Sequence, residues 1–146
     1  MSDRREGGCL CGKLRYALAG KPVVTVACHC QDCQTQSGGA FGLSMVIRRS
    51  DFTWLRGEAK SFVSTADSGA VKDCFICGDC GVRIINAIST MADTYNLKPG
   101  SLDDTSDVAP VMHVWVARKQ PWVAIPAGVA QFEGNPGTKR VDRGAE

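Results

Sequence analysis

The sequence predicts a mostly β domain with little helix, organised around cysteine knuckles. Three observations carry that prediction. Short runs of β-branched and aromatic residues recur between glycine, proline and aspartate turn signals, and helical periodicity is almost absent. Seven of the eight cysteines fall in three tight clusters, Cys9/Cys11, Cys28/Cys30/Cys33 and Cys77/Cys80. At 146 residues the chain fits one domain by length and is long enough to bury a core. The expected layout is a flexible start over 1–6, one zinc-binding domain over 7–130 and a loose tail over 131–146, where Gly134, Pro136, Gly137 and mixed charges gather.

The elements follow in order. Gly7-Gly8-Cys9-Leu10-Cys11-Gly12 reads as a turn that presents two sulfurs, glycine permitting the positive φ that lets backbone N–H groups face them. Lys13 to Leu18 alternates charged and apolar residues and is expected to leave the knuckle as a half-buried strand. After the turn at Gly20-Lys21-Pro22, the run Val23–Ala27 delivers the chain to Cys28 as a strand end. Gln31 to Ser37 suits a short helix stopped by Gly38-Gly39, with Asp32 as N-cap and Cys33 in its first turn. Strands are then expected over 41–47 and 52–55, around Ser61–Val63, and over 71–76, 82–88, 95–97 and 111–116. Leu102 to Asp107 is an acidic loop, and Pro121-Trp122-Val123 is expected to return an aromatic ring over the core or the site.

Composition excludes several function classes. The net charge is +2 with acids and bases interspersed, which is no electrostatic footprint for nucleic acid. No apolar run approaches the ~20 residues needed to span a bilayer, and the polar N-terminus lacks the apolar core of a signal peptide. A cytoplasmic protein with reduced thiols is therefore expected, and clustered cysteines in that setting point to metal or thiol chemistry rather than disulfides.

Thiolate pairs at short spacing suit Zn²⁺, which takes four ligands tetrahedrally. Cys9, Cys11, Cys77 and Cys80 supply four sulfurs from two Cys-Gly knuckles and are expected to form one structural site. Alone, Cys77-x-x-Cys80 would equally suit a redox pair or buried thiols. The second knuckle favours metal. Cys28, Cys30 and Cys33 supply three, which is the pattern of a catalytic zinc with one position left for water or substrate. A closed second site is the alternative, with His29, Cys74 or His113 as the fourth ligand. Three anionic sulfurs weaken a zinc ion's Lewis acidity and keep a bound thiolate nucleophilic, so chemistry at a bond to sulfur fits best.

The spacings Gly8-Cys9-x-Cys11-Gly12, Cys28-x-Cys30-x-x-Cys33 and Cys77-x-x-Cys80-Gly81 resemble the glutathione-dependent formaldehyde-activating enzyme family, which includes centromere protein V. Ser68-Gly69, Gly100-Ser101-Leu102-Asp103-Asp104, His113 and Trp122 extend the resemblance over roughly residues 7–123. It implies a β-tent fold of small antiparallel sheets and hairpins around zinc-binding knuckles, and two zinc ions per chain. Cys9, Cys11, Cys77 and Cys80 match the structural set, and Cys28, Cys30 and Cys33 the set described as catalytic. The implied activity is that of a carbon–sulfur lyase of the S-hydroxymethylglutathione synthase kind. It would act on a glutathione adduct of formaldehyde or another small aldehyde, its partners being that thiol and that aldehyde. Two further functions compete with the lyase: a non-enzymatic zinc module for protein interaction, which needs exposed tryptophan among Trp54, Trp115 and Trp122, and a thiol redox enzyme.

Overall fold

The computed structural model of the chain describes residues 3–66 and 69–142, so Ser68 of the resemblance lies outside the described residues. Eleven strands and one α-helix are defined among them: β1 (Arg5–Gly8), β2 (Arg15–Leu18), β3 (Val24–Cys28), α1 (Gln31–Ser37), β4 (Gly42–Arg48), β5 (Phe52–Arg56), β6 (Lys60–Thr65), β7 (Val71–Ile76), β8 (Arg83–Ile88), β9 (Thr94–Leu97), β10 (Met112–Val114) and β11 (Ala130–Gln131). The mostly β expectation holds, and the one helix falls where Gly38-Gly39 would stop it. The chain divides into two compact units, Met1–Val23 with Met45–Val108, and Val24–Ser44 with Ala109–Glu146.

The first unit holds an antiparallel sheet of β1, β2 and β5. It also holds an antiparallel run in the order β4-β9-β8-β7-β6, to which β4 contributes its second half. Strand alternation decides which side chains are buried together. Phe75, Ile85, Leu97 and Met45 are register partners across four strands and all belong to the core or pack against it. Leu14, Tyr16, Leu18, Ile47, Ile84 and Leu102 complete that core, and Cys9 and Cys77 lie within it. Tyr16 is fully buried and shares a hydrogen bond of 2.8 Å with the Ser101 hydroxyl, which itself donates to the Lys98 carbonyl. Burial pushes the Tyr16 phenol up to about 12. The acidic loop is pinned to β1 and β2 by ion pairs, Arg5 with Asp107 at 2.8 Å and Arg15 bidentate with Asp103.

The second unit holds β3, β10 and β11 together with α1. Here β10 runs parallel to both neighbours, with Met112 opposite Val26, Val114 opposite Cys28 and His113 opposite Gln131. These two parallel pairings stand beside the antiparallel sheets of the expected fold. A parallel partner needs a long crossover, and more than eighty residues of chain separate β3 from β10.

Described residues towards both ends of the sequence carry backbone pairings. The first strand begins at Arg5. Beyond Gln131, Phe132 N–H donates to the His113 carbonyl, Glu133 N–H to Lys139 and Val141 N–H to Gln131, each at 2.9 Å. Gly134 to Gly137 lie in a turn, and Trp115 Nε1 donates to Asn135 Oδ1 within it. Trp122 does not return over a core: it is 74% exposed, its indole N–H donating to Gln120 Oε1 at 2.7 Å.

Candidate metal centres

Two groups of sulfur atoms converge. The first is Cys9, Cys11, Cys77 and Cys80, whose Sγ atoms all lie within 4.8 Å of one another. Cys9 follows β1, and Cys77 to Cys80 form the connection between β7 and β8. Each knuckle closes with a backbone hydrogen bond, Gly12 N–H to the Cys9 carbonyl at 3.2 Å and Gly81 N–H to the Cys77 carbonyl at 2.9 Å. Both glycines sit at positive φ, 80° and 78°, a conformation that costs an L-residue about 1–2 kcal/mol. Leu14 N–H donates to Cys9 Sγ at 3.2 Å, a bond that favours the thiolate.

The sulfur spacing fits a tetrahedral ion. Zinc–sulfur bonds of about 2.3 Å place ligand sulfurs about 3.8 Å apart. Cys9 and Cys11 are separated by 3.6 Å, and Cys11 and Cys77 by 3.7 Å. Without a cation the Cys80 and Cys11 thiols split in acidity. Backbone N–H groups of Val82 and Cys11 pull Cys80 down to about 6. At Cys11 the Lys13 N–H pulls the same way, but desolvation and the sulfurs of Cys9, Cys77 and Cys80 prevail and push it up to about 11. Four adjacent thiolates repel one another, and a divalent cation among them removes that conflict. The donor set therefore fits zinc.

The second group is Cys28, Cys30 and Cys33, whose Sγ atoms also lie within 4.8 Å of one another. Cys28 ends β3, Cys30 caps α1 and Cys33 lies in its first turn. The expected cap was Asp32. Instead Cys30 Sγ accepts from Cys33 N–H at 3.3 Å, and Asp32 sits in the first turn as its acidic residue. A cysteine takes the capping position because its sulfur then faces both the helix N–H groups and the other two thiols. The Cys30 and Cys33 sulfurs beside it, together with burial, push the Cys28 thiol strongly up. This group too asks for a cation, and all three residues are half-buried. Gly42 at the start of β4 makes room for it: a methyl group there would sit 3.2 Å from Cys33 Cβ.

None of the three residues weighed as a fourth ligand joins the triplet. Cys74 belongs to the first unit, fully buried in the middle of β7 and outside the four-sulfur group as well. His29 and His113 bind each other, Nε2 to Nδ1 at 2.8 Å, with rings stacked at 5.1 Å and Phe41 against His29. Both are buried, and that desolvation lowers their basicity, His29 to about 4. No local signal marks this pair, because it depends on β10 lying parallel to β3 with His29 N–H bonded to the Val114 carbonyl. The role of Gln34 was likewise invisible. Its side-chain amide donates to the His29 and Arg118 carbonyls at 2.9 Å each and accepts from Gln120 Nε2, tying α1 to the segment after β10.

These two sulfur centres on a mostly β chain define a cysteine-knuckle protein with two groups that could hold metal ions. A family model described as glutathione-dependent formaldehyde-activating enzyme matches residues 4–118. The match spans most of the sequence, and the chain belongs to that family. A crystal structure of a Rhodobacter sphaeroides protein, a structural-genomics target, is similar over 72% of this chain and 91% of its own, with a TM-score of 0.53 and 19% identity. That likeness concerns the fold alone. No curated protein matches the sequence. No helix among the described residues is long and apolar enough to cross a membrane.

Proposed function

We propose that the protein is a carbon–sulfur lyase that forms or cleaves the bond between a small-molecule thiol, glutathione by family, and the carbon of formaldehyde or another small aldehyde. The observation that carries this reading is the convergence of three sulfurs, Cys28, Cys30 and Cys33, with no histidine in the group and His29 Nε2 bonded to His113 Nδ1. Membership of the family supports the substrate class.

In the forward direction the thiolate sulfur attacks the carbonyl carbon, the π electrons move to oxygen, and the oxygen takes a proton to give a hemithioacetal. The reverse reaction returns that proton, re-forms the carbonyl and releases the thiolate. Cys28, Cys30 and Cys33 would hold one zinc, and Cys9, Cys11, Cys77 and Cys80 a second, structural one. Bound at the triplet, zinc supplies a Lewis acid that keeps an incoming thiol ionised at neutral pH. The chain's own contribution is placement. Strand β3 and helix α1 fix the three sulfurs, and the buried His29–His113 pair and Gln34 hold the segment between and after them. The proposal sets the protein in the cytoplasm, where clustered thiols stay reduced.

The test is S-hydroxymethylglutathione formation followed by NMR against the uncatalysed rate, with zinc counted per chain, in wild type and in a Cys28/Cys30/Cys33→Ser variant. The expected result is catalysis by wild type with two zinc ions, and background rate with one zinc in the variant. Equal rates in the two proteins would sink the proposal.

A further inference from the structure

The antiparallel run of the first unit ends in β6, whose outer side pairs with no strand among the described residues. Two other end strands are closed. At β1 the Glu6 carbonyl accepts from Asp103 N–H at 3.0 Å. At β11, two residues long, Asp142 takes the Gln131 N–H at 3.0 Å and Val141 N–H donates to the Gln131 carbonyl at 2.9 Å. An open edge offers a row of backbone donors and acceptors, and folds ordinarily blunt it with proline, a bulge, charge or a short strand. The six residues of β6, Lys60-Ser61-Phe62-Val63-Ser64-Thr65, include no proline and pair with β7 in unbroken register. The one charge, Lys60, has its side chain along the cysteine knuckle: a methyl group on Gly78 would sit 2.7 Å from Lys60 Cε.

The apolar side chains left open on the same hairpin say what fits this edge. Val63 is 64% exposed, Phe62 42% and Val71 of β7 39%. Val63 and Val71 are diagonal neighbours on one face, since Thr65 pairs with Val71 and Val63 with Asp73. Phe62 lies on the other face, with the Arg83 guanidinium 5.1 Å from its ring centre. A strand that covers the edge must bring apolar groups to both faces and no cation towards Arg83. The strand itself meets that description.

We propose that β6 pairs antiparallel with β6 of a second copy of this chain, about a two-fold axis through Val63. A two-fold axis perpendicular to the sheet keeps every residue on its own face, so it falls on a residue and not between two. On Val63 it sets that side chain against its own copy, Ser61 opposite Thr65 and Phe62 opposite Ser64. An apolar stripe then runs from Val71 of one copy through both Val63 side chains to Val71 of the other, flanked by facing hydroxyls. Lys60 falls opposite Ala66, so no like charges meet. An axis on Phe62 would instead bring together the two Arg83 guanidiniums that stand over those rings. Six residues a side make a small contact beside the about 1,200 Å² of a lasting complex, so the dimer is reversible and depends on concentration.

Sedimentation velocity on the full-length, zinc-loaded chain over a wide concentration range tests the proposal. Wild type is expected to pass from monomer to dimer as concentration rises. Val63→Lys, which puts like charges on the axis, should stay monomeric with unchanged circular dichroism and zinc content. Two single-cysteine variants report the register. Val63→Cys should form a disulfide-linked dimer under mild oxidation, mapped by peptide mass to the introduced thiols, because opposed Cα atoms lie about 4.5–5.5 Å apart. Ser61→Cys stands about 13 Å along the strand from its own copy and should not link. Should Val63→Lys not fold, the two cysteine variants decide alone. Wild type monomeric throughout, a dimer that Val63→Lys leaves intact, or linking at Ser61→Cys as readily as at Val63→Cys would overturn the proposal.

Discussion

The two sulfur centres are built by opposite strategies. The four-sulfur centre joins a turn near the N-terminus to a hairpin connection with Cys11 and Cys77 sixty-six positions apart, and two of its sulfurs sit inside the main hydrophobic core. The triplet comes from six consecutive residues at a strand end and a helix start, and it is half-buried throughout. A centre that closes a long loop within a core contributes mainly to folding. A centre held by one continuous segment adds little to chain closure, and its partial exposure leaves it accessible for chemistry. Ligand count points the same way, four against three.

The largest expected effect tests that division directly. Structural zinc contributes ~10 kcal/mol or more to small metal domains at neutral pH, comparable to the whole stability of a domain of this size. Cys77→Ser should therefore leave the first unit unfolded, with circular dichroism showing loss of its sheet signal. Cys30→Ser should keep a cooperative melt close to that of wild type and bring activity down to background. A reversed outcome, with Cys30→Ser unfolding and Cys77→Ser tolerated, would exchange the two roles.

Glycine substitutions sharpen the contrast at smaller magnitude. Gly12→Ala and Gly81→Ala meet open space, so their cost is conformational, about 1–2 kcal/mol each, and should appear as a lowered melting temperature. Gly42→Ala should scarcely move the melt. It should instead press on Cys33 and weaken zinc retention at the triplet, read by competition with a chelator.

Tyr16→Phe probes the core that carries Cys9 and Cys77. Loss of the bond to Ser101 should cost about 1 kcal/mol in urea unfolding at neutral pH. The pH dependence has a definite sign. The folded phenol titrates near 12 and the unfolded one near 10, so its protonated form is favoured by folding. That contribution is complete below pH 10 and is lost as pH rises from about 10 towards 12. Wild type should lose stability relative to Tyr16→Phe across that window; a constant difference would contradict the burial of the phenol. The smallest effect is expected at Arg15→Met, about 0.5–1 kcal/mol and diminished by salt, since Asp103 is mostly exposed.

What was legible in the sequence was local. Val71–Ile76 was readable as a strand from its own residues, and the helix from Gln31 to Ser37 from the glycines that end it. Both sulfur groupings followed from spacing, the four-sulfur one also from its adjacent glycines. Contacts set by the remote pairing of β10 were not legible. The histidine pair, the anchoring of Gln34 and the order beyond Gln131 all require knowing that residues after 111 lie beside β3. Asp32 was misplaced as the helix cap because capping preference ranks side-chain oxygen above sulfur, and here three converging thiols decided the position.

The parallel pairing of β10 with β3 has a consequence for synthesis on the ribosome. The histidine that meets His29 is made 84 residues after it, so Cys28, Cys30 and Cys33 emerge well before the strand that lies beside them. At ~5–20 residues per second, the three thiols wait on the order of ten seconds without their partner strand. Metal delivered in that interval meets a flexible tripod, whereas metal delivered afterwards meets a fixed one. The topology thus sets which form of the triplet a metal would meet during or after translation.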